Sequence, residues 1–138
     1  METIKFDLSL IKFMSLFETI TRVQPKDCIA QESQLLFIVP ENKMSQAIGR
    51  QGINVKKLER ALKRNIKIVP FKETVISFIV HLLHPLQIKE AKEEAGIITL
   101  TPQDTKTRGM IIGRGATNLR SLEAITKRYY PIKEIKVI

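Results

Sequence analysis

The sequence contains little of what several protein classes require. Of its 138 residues, one is cysteine, none is tryptophan and 6% are aromatic. A single cysteine, Cys28, cannot form an intramolecular disulfide, so we expect a buried thiol and a reducing compartment. The longest apolar stretch, residues 74–83, is about half the length that a bilayer requires, and the N-terminus lacks a signal pattern. We therefore expect a cytoplasmic protein that does not bind a membrane.

The motifs of common enzyme classes are also missing. The sequence contains no P-loop, no nucleophile elbow and no HExxH zinc motif. His81 and His84 lie three residues apart, but no cysteine or acidic cluster accompanies them, so we expect a structural role and no metal site. We expect neither catalytic activity nor a cofactor.

Positive charge is in excess along the whole chain. The chain has 23 Lys and Arg against 14 Asp and Glu, which gives a formal net charge of +9. Residues 1–70 contain 12 basic and 7 acidic side chains, and residues 71–138 contain 11 and 7. Neither half is a charged tail, because 43% of the residues are hydrophobic. This balance predicts two folded basic modules with a polyanionic partner.

Apolar periodicity predicts an α+β fold in which one order of elements occurs twice. In residues 1–70 we predict a helix over 8–22 capped by Asp7, strands over 28–30 and 35–39, a short helix over 43–48 capped by Asn42, a helix over 53–64, and a strand over 66–69 that Pro70 ends. In residues 71–138 we predict a helix over 74–82, strands over 86–95 and 97–100, a short helix capped by Asp104 that reaches Ile112, a helix over 117–128 and a strand over 132–138. The helices over 53–64 and 117–128 each have an apolar inner stripe, which is Val55, Leu58, Ala61 and Leu62 in the first and Leu119, Leu122 and Ile125 in the second. We expect Tyr129 and Tyr130 to pack against the protein rather than to stack on a ligand.

An internal repeat supports this organisation. A shift of 64 residues brings several identical pairs into register within one short window, which indicates a duplication. The pairs include Ile48 and Ile112, Gly49 and Gly113, Arg50 and Arg114, Asn54 and Asn118, Leu58 and Leu122, Glu59 and Glu123, and Arg64 and Arg128.

A glycine loop lies between the two predicted helices of each repeat. The first loop is Gly49-Arg50-Gln51-Gly52, and glycine allows the backbone to approach a ligand closely. The following helix offers free N–H groups and a positive dipole end, which suit a phosphate. The second loop has Ala116 where the first has Gly52. Alanine there is harmless if the backbone is helical, but it weakens binding if the position requires a positive φ.

The loop, the preceding hairpin, the basic helix and the repetition together resemble the KH domain. The order with helix and hairpin first looks like the type II arrangement. The stretch AIGRQGINVK over residues 47–56 looks like the KH loops of NusA, and the whole chain resembles short archaeal-type NusA-like transcription factors. The resemblance implies two tandem type II KH domains, 1–70 and 71–138, each a small three-stranded sheet with helices packed on one face. It also implies single-stranded, nascent RNA as partner, RNA polymerase as a candidate protein partner, a monomer, and a role in transcription termination or antitermination.

The two loops and the basic residues around them form the predicted RNA-binding surface. The glycines admit phosphates, the arginines supply charge, and Ile48, Ile53 and Val55 line a groove for bases or belong to the core. Asn54 and Asn118 contact RNA or hold the loop. The predicted RNA-binding residues are Lys43, Ile48, Gly49, Arg50, Gln51, Gly52, Ile53, Asn54, Lys56, Lys57, Arg60, Gly113, Arg114, Gly115, Ala116, Asn118 and Arg120.

Three other functions fit parts of the same pattern. One is a ribosomal or RNA-processing KH protein. Another is a DNA-binding regulator, because two helices joined by a glycine turn imitate a helix-turn-helix. The third is a module that docks on RNA polymerase and scarcely touches RNA.

Overall fold

The chain folds into two compact units, which divide between Phe71 and Lys72. The computed structural model describes residues 8–138. Each unit contains a three-stranded sheet and three α-helices in the order helix, two strands, two helices, strand. The predicted α+β fold with a repeated order of elements is confirmed, whereas the cap assigned to Asp7 lies outside the described residues.

The element bounds follow the predicted order. The first unit contains α1 Leu8–Thr21, β1 Asp27–Ala30, β2 Gln34–Pro40, α2 Met44–Ile48, α3 Ile53–Leu62 and β3 Asn65–Phe71. The second contains α4 Val75–Leu83, β4 Ile88–Glu94, β5 Ile97–Pro102, α5 Thr105–Ile112, α6 Thr117–Lys127 and β6 Glu134–Val137. Within residues 8–138 the helices are too short or too polar to cross a bilayer.

Sheet topology places each glycine loop in the middle of a crossover. In the first unit β2 is the central strand, antiparallel to β1 and parallel to β3. The second unit repeats this arrangement with β5 in the centre. Two parallel strands require a long connection rather than a tight turn. The connection from β2 to β3 is α2, the loop and α3, and it is α5, the loop and α6 from β5 to β6.

Each unit has its own apolar core. In the first, Phe17 of α1 stacks on Phe37 of β2 with ring centroids 4.4 Å apart, and Leu58 of α3 is fully buried beside them. In the second, Leu100 of β5 and Leu122 of α6 occupy the core. The predicted inner stripes are therefore confirmed at their centres.

Ala61 is an exception to the predicted stripe of α3, because its side chain is exposed. The helix also ends earlier than predicted, at Leu62, because Lys63 adopts a left-handed conformation with φ 55°. The N–H of Lys63 donates to the carbonyl of Glu59 and closes the last turn.

Two sequence predictions about local signals are wrong. Pro70 does not end β3, which continues to Phe71. β3 is an edge strand, so one side of it makes no ladder, and a residue without an N–H is tolerated there. Asn42 does not cap α2, because residues Glu41–Lys43 form a 3-10 turn and no side chain caps either helical segment.

The cap predicted at Asp104 is confirmed, and the structure adds a second one at Thr74. Asp104 accepts a hydrogen bond from Thr107 N–H at 2.8 Å at the start of α5. Hydrogen bonds from Thr107 lower the pKa of the Asp104 carboxyl, so the cap is ionised at neutral pH. Thr74 caps α4 by accepting from Ser77 N–H at 3.3 Å. The tyrosine pair packs as predicted, since Tyr130 lies against the second core and its ring centroid is 5.2 Å from that of Phe78.

We predict that Cys28 resists alkylation in the folded protein. The side chain is 2% exposed, and burial raises the pKa of its thiol to about 12. An unfolded thiol ionises near pH 8.5. The contribution of the Cys28 thiol to the free energy of unfolding is therefore complete below about pH 8.5. It is lost as the pH rises toward the pKa of this thiol in the folded protein. At pH 8, alkylation by iodoacetamide should be at least roughly a hundredfold slower in buffer than in denaturant. Equal rates would contradict the buried placement.

Candidate nucleic-acid interface

The first residue of each loop must be glycine. Gly49 has φ 80° and ψ 169°, and Gly113 has φ 76° and ψ 172°. This region of backbone space is essentially restricted to glycine. A Cβ on Gly49 would lie 2.9 Å from Asn54 Nδ2, and one on Gly113 would lie 2.7 Å from Asn118 Nδ2. Conformation and contact both exclude a side chain at these two positions.

The asparagine that fills this space ties the two helices together. Asn54 Nδ2 donates to the carbonyl of Gln46 in α2 at 3.1 Å, and Asn118 Nδ2 donates to the carbonyl of Met110 in α5 at 3.0 Å. The last carbonyls of a helix have no partner within it, and these bonds supply one. The sequence predicts that Asn54 and Asn118 either contact RNA or hold the loop. In the structure both side-chain nitrogens make the bonds that hold the loop.

The third and fourth residues of each loop are left-handed. Gln51 and Gly52 have φ 55° and 72°, and Gly115 and Ala116 have φ 62° and 61°. The alanine therefore occupies a position that requires positive φ, the case in which the sequence predicts a weaker site. A left-handed conformation costs a residue with a Cβ about 1–2 kcal/mol.

Both loops leave the start of the next helix uncapped by side chains. The N–H of Gly52 donates to Gly49 O at 3.1 Å, and the N–H of Ala116 donates to Gly113 O at 3.2 Å. No side chain caps α3 or α6. This end of each helix is therefore suited to an anion, by its N–H groups and by its dipole.

An arginine is exposed at the tip of each loop. Arg50 and Arg114 occupy the second loop position, and both side chains are exposed. Across residues 8–138 neither guanidinium has an ion pair or hydrogen bond with another residue of that range. Both charges are thus available to a ligand.

The other predicted contacts divide between the exposed surface and the core. Ile53 is 48% exposed at the first position of α3, whereas Ile48 and Val55 pack against the first core. Only Ile53 of these three presents a large apolar surface beside the loop. Its counterpart in the second unit is Thr117, whose Oγ1 donates to Arg114 O at 2.7 Å.

The cations predicted to surround the first loop are exposed. They are Lys43 in the 3-10 turn before α2, and Lys56, Lys57 and Arg60 on α3. On α6, Arg120 corresponds to Lys56 and is also exposed. Ser121 and Ala124 stand at the positions of Lys57 and Arg60, so those two charges are missing from the second unit. The first loop therefore has more positive charge around it than the second.

The repeated glutamate has a structural role that the sequence did not reveal. Glu59 Oε2 accepts from the N–H of Ile66 at 3.3 Å, and Glu123 Oε2 accepts from the N–H of Ile135 at 2.7 Å. Each carboxylate thus ties the crossover helix to the strand that follows it. The identity of the two glutamates in the repeat was the available signal.

No metal centre forms in the described part of the chain. Residues 8–138 contain no group of three or more His, Cys, Asp or Glu side chains placed to hold an ion. His81 Nδ1 donates to the carbonyl of Ser77 within α4 at 2.9 Å.

Comparison with known proteins identifies the fold. Residues 14–83 match the KH domain family, and this match covers the first glycine loop and both helices around it. The chain belongs to the KH domain family. The same sheet order and loop conformation recur in the second unit, so the KH fold is present twice.

Several archaeal proteins resemble the chain along most of its length. One from Halococcus morrhuae, named "Probable transcription termination protein NusA", is 25% identical over 92% of this chain and 93% of its own length. A protein of the same name from Methanocaldococcus jannaschii is 28% identical over 100% of this chain and 77% of its own. The crystal structure of APE1850 superposes with a TM-score of 0.70 at 24% identity, covering 96% of this chain and 100% of the other, which supports the KH fold.

We predict opposite effects of exchanging glycine and alanine at the fourth loop position. Gly52→Ala should lower the free energy of unfolding by about 1 kcal/mol, because a Cβ there is strained at positive φ. The added Cβ would meet no atom within 4 Å, so no steric clash adds to the backbone strain. Ala116→Gly should raise stability by about 0.5–1 kcal/mol.

Chemical denaturation of the full chain measures both changes. Gly49→Ala serves as a comparison and should cost more than Gly52→Ala, because its Cβ would also collide with Asn54. A loss of stability in Ala116→Gly would show that the second loop is not strained.

Proposed function

We propose that this protein binds single-stranded RNA through its two KH loops and acts, without catalysis, in transcription termination or antitermination. The observation that supports this most directly is the repeated loop geometry. Each loop presents left-handed backbone, an uncapped helix start and an exposed arginine at one place. KH domains clamp about four backbone nucleotides with such a loop.

Phosphate recognition follows from the loop itself. The space beside Gly52 Cα is open, since a Cβ there would meet nothing within 4 Å. A phosphate can approach the backbone N–H groups from this side, and Arg50 adds a charge-assisted hydrogen bond. In the second loop the methyl group of Ala116 occupies the corresponding space. We therefore expect the first loop to bind more tightly.

Base recognition depends on the surface beside the first loop. Ile53 offers an apolar contact to an unpaired base, and Lys56 and Lys57 lie within the first turns of the same helix. Single-stranded RNA suits this surface, because its bases are free to turn toward protein side chains. None of these steps makes or breaks a covalent bond.

The role in transcription rests on the relatives. Those reported above carry the name of a transcription termination protein and align over most of this chain. On this proposal the ligand is nascent transcript in the cytoplasm, and RNA polymerase is a candidate second partner. Salt dependence separates the two ligands, because log K for single-stranded RNA falls by about 0.7 per log unit of salt for each phosphate contacted. A flat salt dependence would favour polymerase docking over RNA binding.

We predict that Arg50→Asp combined with Gln51→Asp weakens binding of single-stranded RNA by roughly a hundredfold, because two anions then face the phosphates. The variant should fold, since Arg50 is exposed and aspartate tolerates the positive φ of residue 51. The same change at Arg114 and Gly115 should weaken binding less. Fluorescence anisotropy with labelled single-stranded RNA measures both.

Two controls sharpen this comparison. Lys12→Glu with Ser15→Glu makes the same change in net charge on exposed positions of α1, and it should have a small effect. Duplex DNA of matched length should compete poorly. Tighter binding to the duplex would instead support a helix-turn-helix reader, and equal losses at the two loops would refute their proposed ranking.

A further inference from the structure

A line of positive charge runs along α3 away from the first loop. Lys56 and Arg60 are four residues apart and lie on one side of α3, and Lys63 follows directly after the last turn of that helix. All three side chains are exposed, and none of them forms an ion pair with another residue in the range 8–138. We call these three residues the α3 ridge. From Lys56 to Lys63 it extends about 10 Å.

The ridge ends at an open concavity in the first unit. This concavity lies between the turn that joins β1 to β2 and the C-terminal end of α3. Its lining includes Gln31, Glu32, Ser33, Glu59, Lys63 and Arg64. The two acids balance the two bases, so the site does not favour a phosphate. Gln31 Oε1 accepts from Gln34 Nε2 at 2.7 Å and Glu59 Oε2 accepts from the N–H of Ile66. The hydroxyl of Ser33 and the carboxylate of Glu32 are therefore the groups that match the hydrogen-bonding edge of a nucleobase.

One side chain of the lining is held as a flat surface. The guanidinium of Arg64 lies over the ring of Phe13, with its central carbon 5.4 Å from the ring centroid. The aromatic ring restrains the guanidinium by a cation–π contact. Unpaired bases stack on arginine planes of this kind.

The second unit does not repeat the α3 ridge. Ala124 replaces Arg60, and Lys127 in the place of Lys63 lies 3.8 Å from Glu123. Arg128 corresponds to Arg64 and lies over the ring of Tyr129 at 5.9 Å. Lys127 and Arg128 therefore serve as matched controls for Lys63 and Arg64.

We propose that the concavity is a second base-binding subsite for single-stranded RNA, reached from the first loop along the α3 ridge. The ridge contacts the phosphates between the two positions, and Arg64 stacks on a base in the concavity. This inference rests on the proposed function and extends it, because it assigns the first unit a footprint longer than the nucleotides at the loop.

The test uses the full chain with the second loop silenced by Arg114→Asp and Gly115→Asp. Pools of random-sequence single-stranded RNA, 4 and 12 nucleotides long, are titrated and followed by NMR amide shifts and by anisotropy. Lys63→Gln and Arg64→Lys should each weaken binding of the 12-nucleotide pool by roughly threefold to tenfold and leave the 4-nucleotide pool unchanged. Arg64→Lys keeps the charge and removes the planar guanidinium. Lys127→Gln and Arg128→Lys should change neither.

Each outcome bears on one proposal. Amide shifts of Gln31 and Ser33 that appear with the longer pool alone would support the subsite. If the unmodified protein binds both pools but Lys63→Gln and Arg64→Lys alter neither, or alter both equally, the subsite is refuted while RNA binding stands. Losses of the same size in the α6 controls would refute it too. Absence of binding to either pool would refute the proposed function itself.

Discussion

The hydrogen bond from an asparagine side chain back to the preceding helix is the interaction on which the site depends. Asn54 and Asn118 each lie against the α-carbon of the first loop glycine and reach a terminal carbonyl one helix earlier. That contact joins the two helices across the loop, and the space it leaves at the first loop position admits no residue larger than glycine. The left-handed residues and the helix start without a side-chain cap come directly after that junction along the chain.

The identical pairs of the internal repeat separate into those that build the fold and those that face solvent. Leu58 and Leu122 fill the two cores, and Glu59 and Glu123 hold the strand after each crossover. Arg50 and Arg114 do neither, since among residues 8–138 their side chains form no ion pair or hydrogen bond. The presence of arginine at both positions of the repeat is therefore explained better by binding of a ligand than by the stability of the fold.

Much of the fold could be predicted from the sequence, because apolar stripes and turn residues act locally. The helices α1, α3 and α6 follow their stripes to within two residues. The loop that carries Arg50 was recognised because it lies between two helices, follows a hairpin, precedes a basic helix and recurs in the second repeat. Pro70 was misjudged because its tolerance depends on β3 being an edge strand, which is a property of the sheet. The concavity could not be foreseen, since only the pairing of β2 with β3 brings residues 31–34 beside residues 63–65.

The alanine of the second loop reveals how firmly the framework holds its shape. Ala116 stays at φ 61° although alanine on its own disfavours that conformation by about 1–2 kcal/mol. The surrounding bonds, from Asn118 to Met110 and from Thr117 to Arg114, must together exceed that preference. A loop restrained to this degree is already shaped before any ligand arrives. A ligand that binds at either loop therefore orders little of the backbone. Its affinity depends on the contacts that it makes with the loop, because little conformational entropy of the loop is lost on binding.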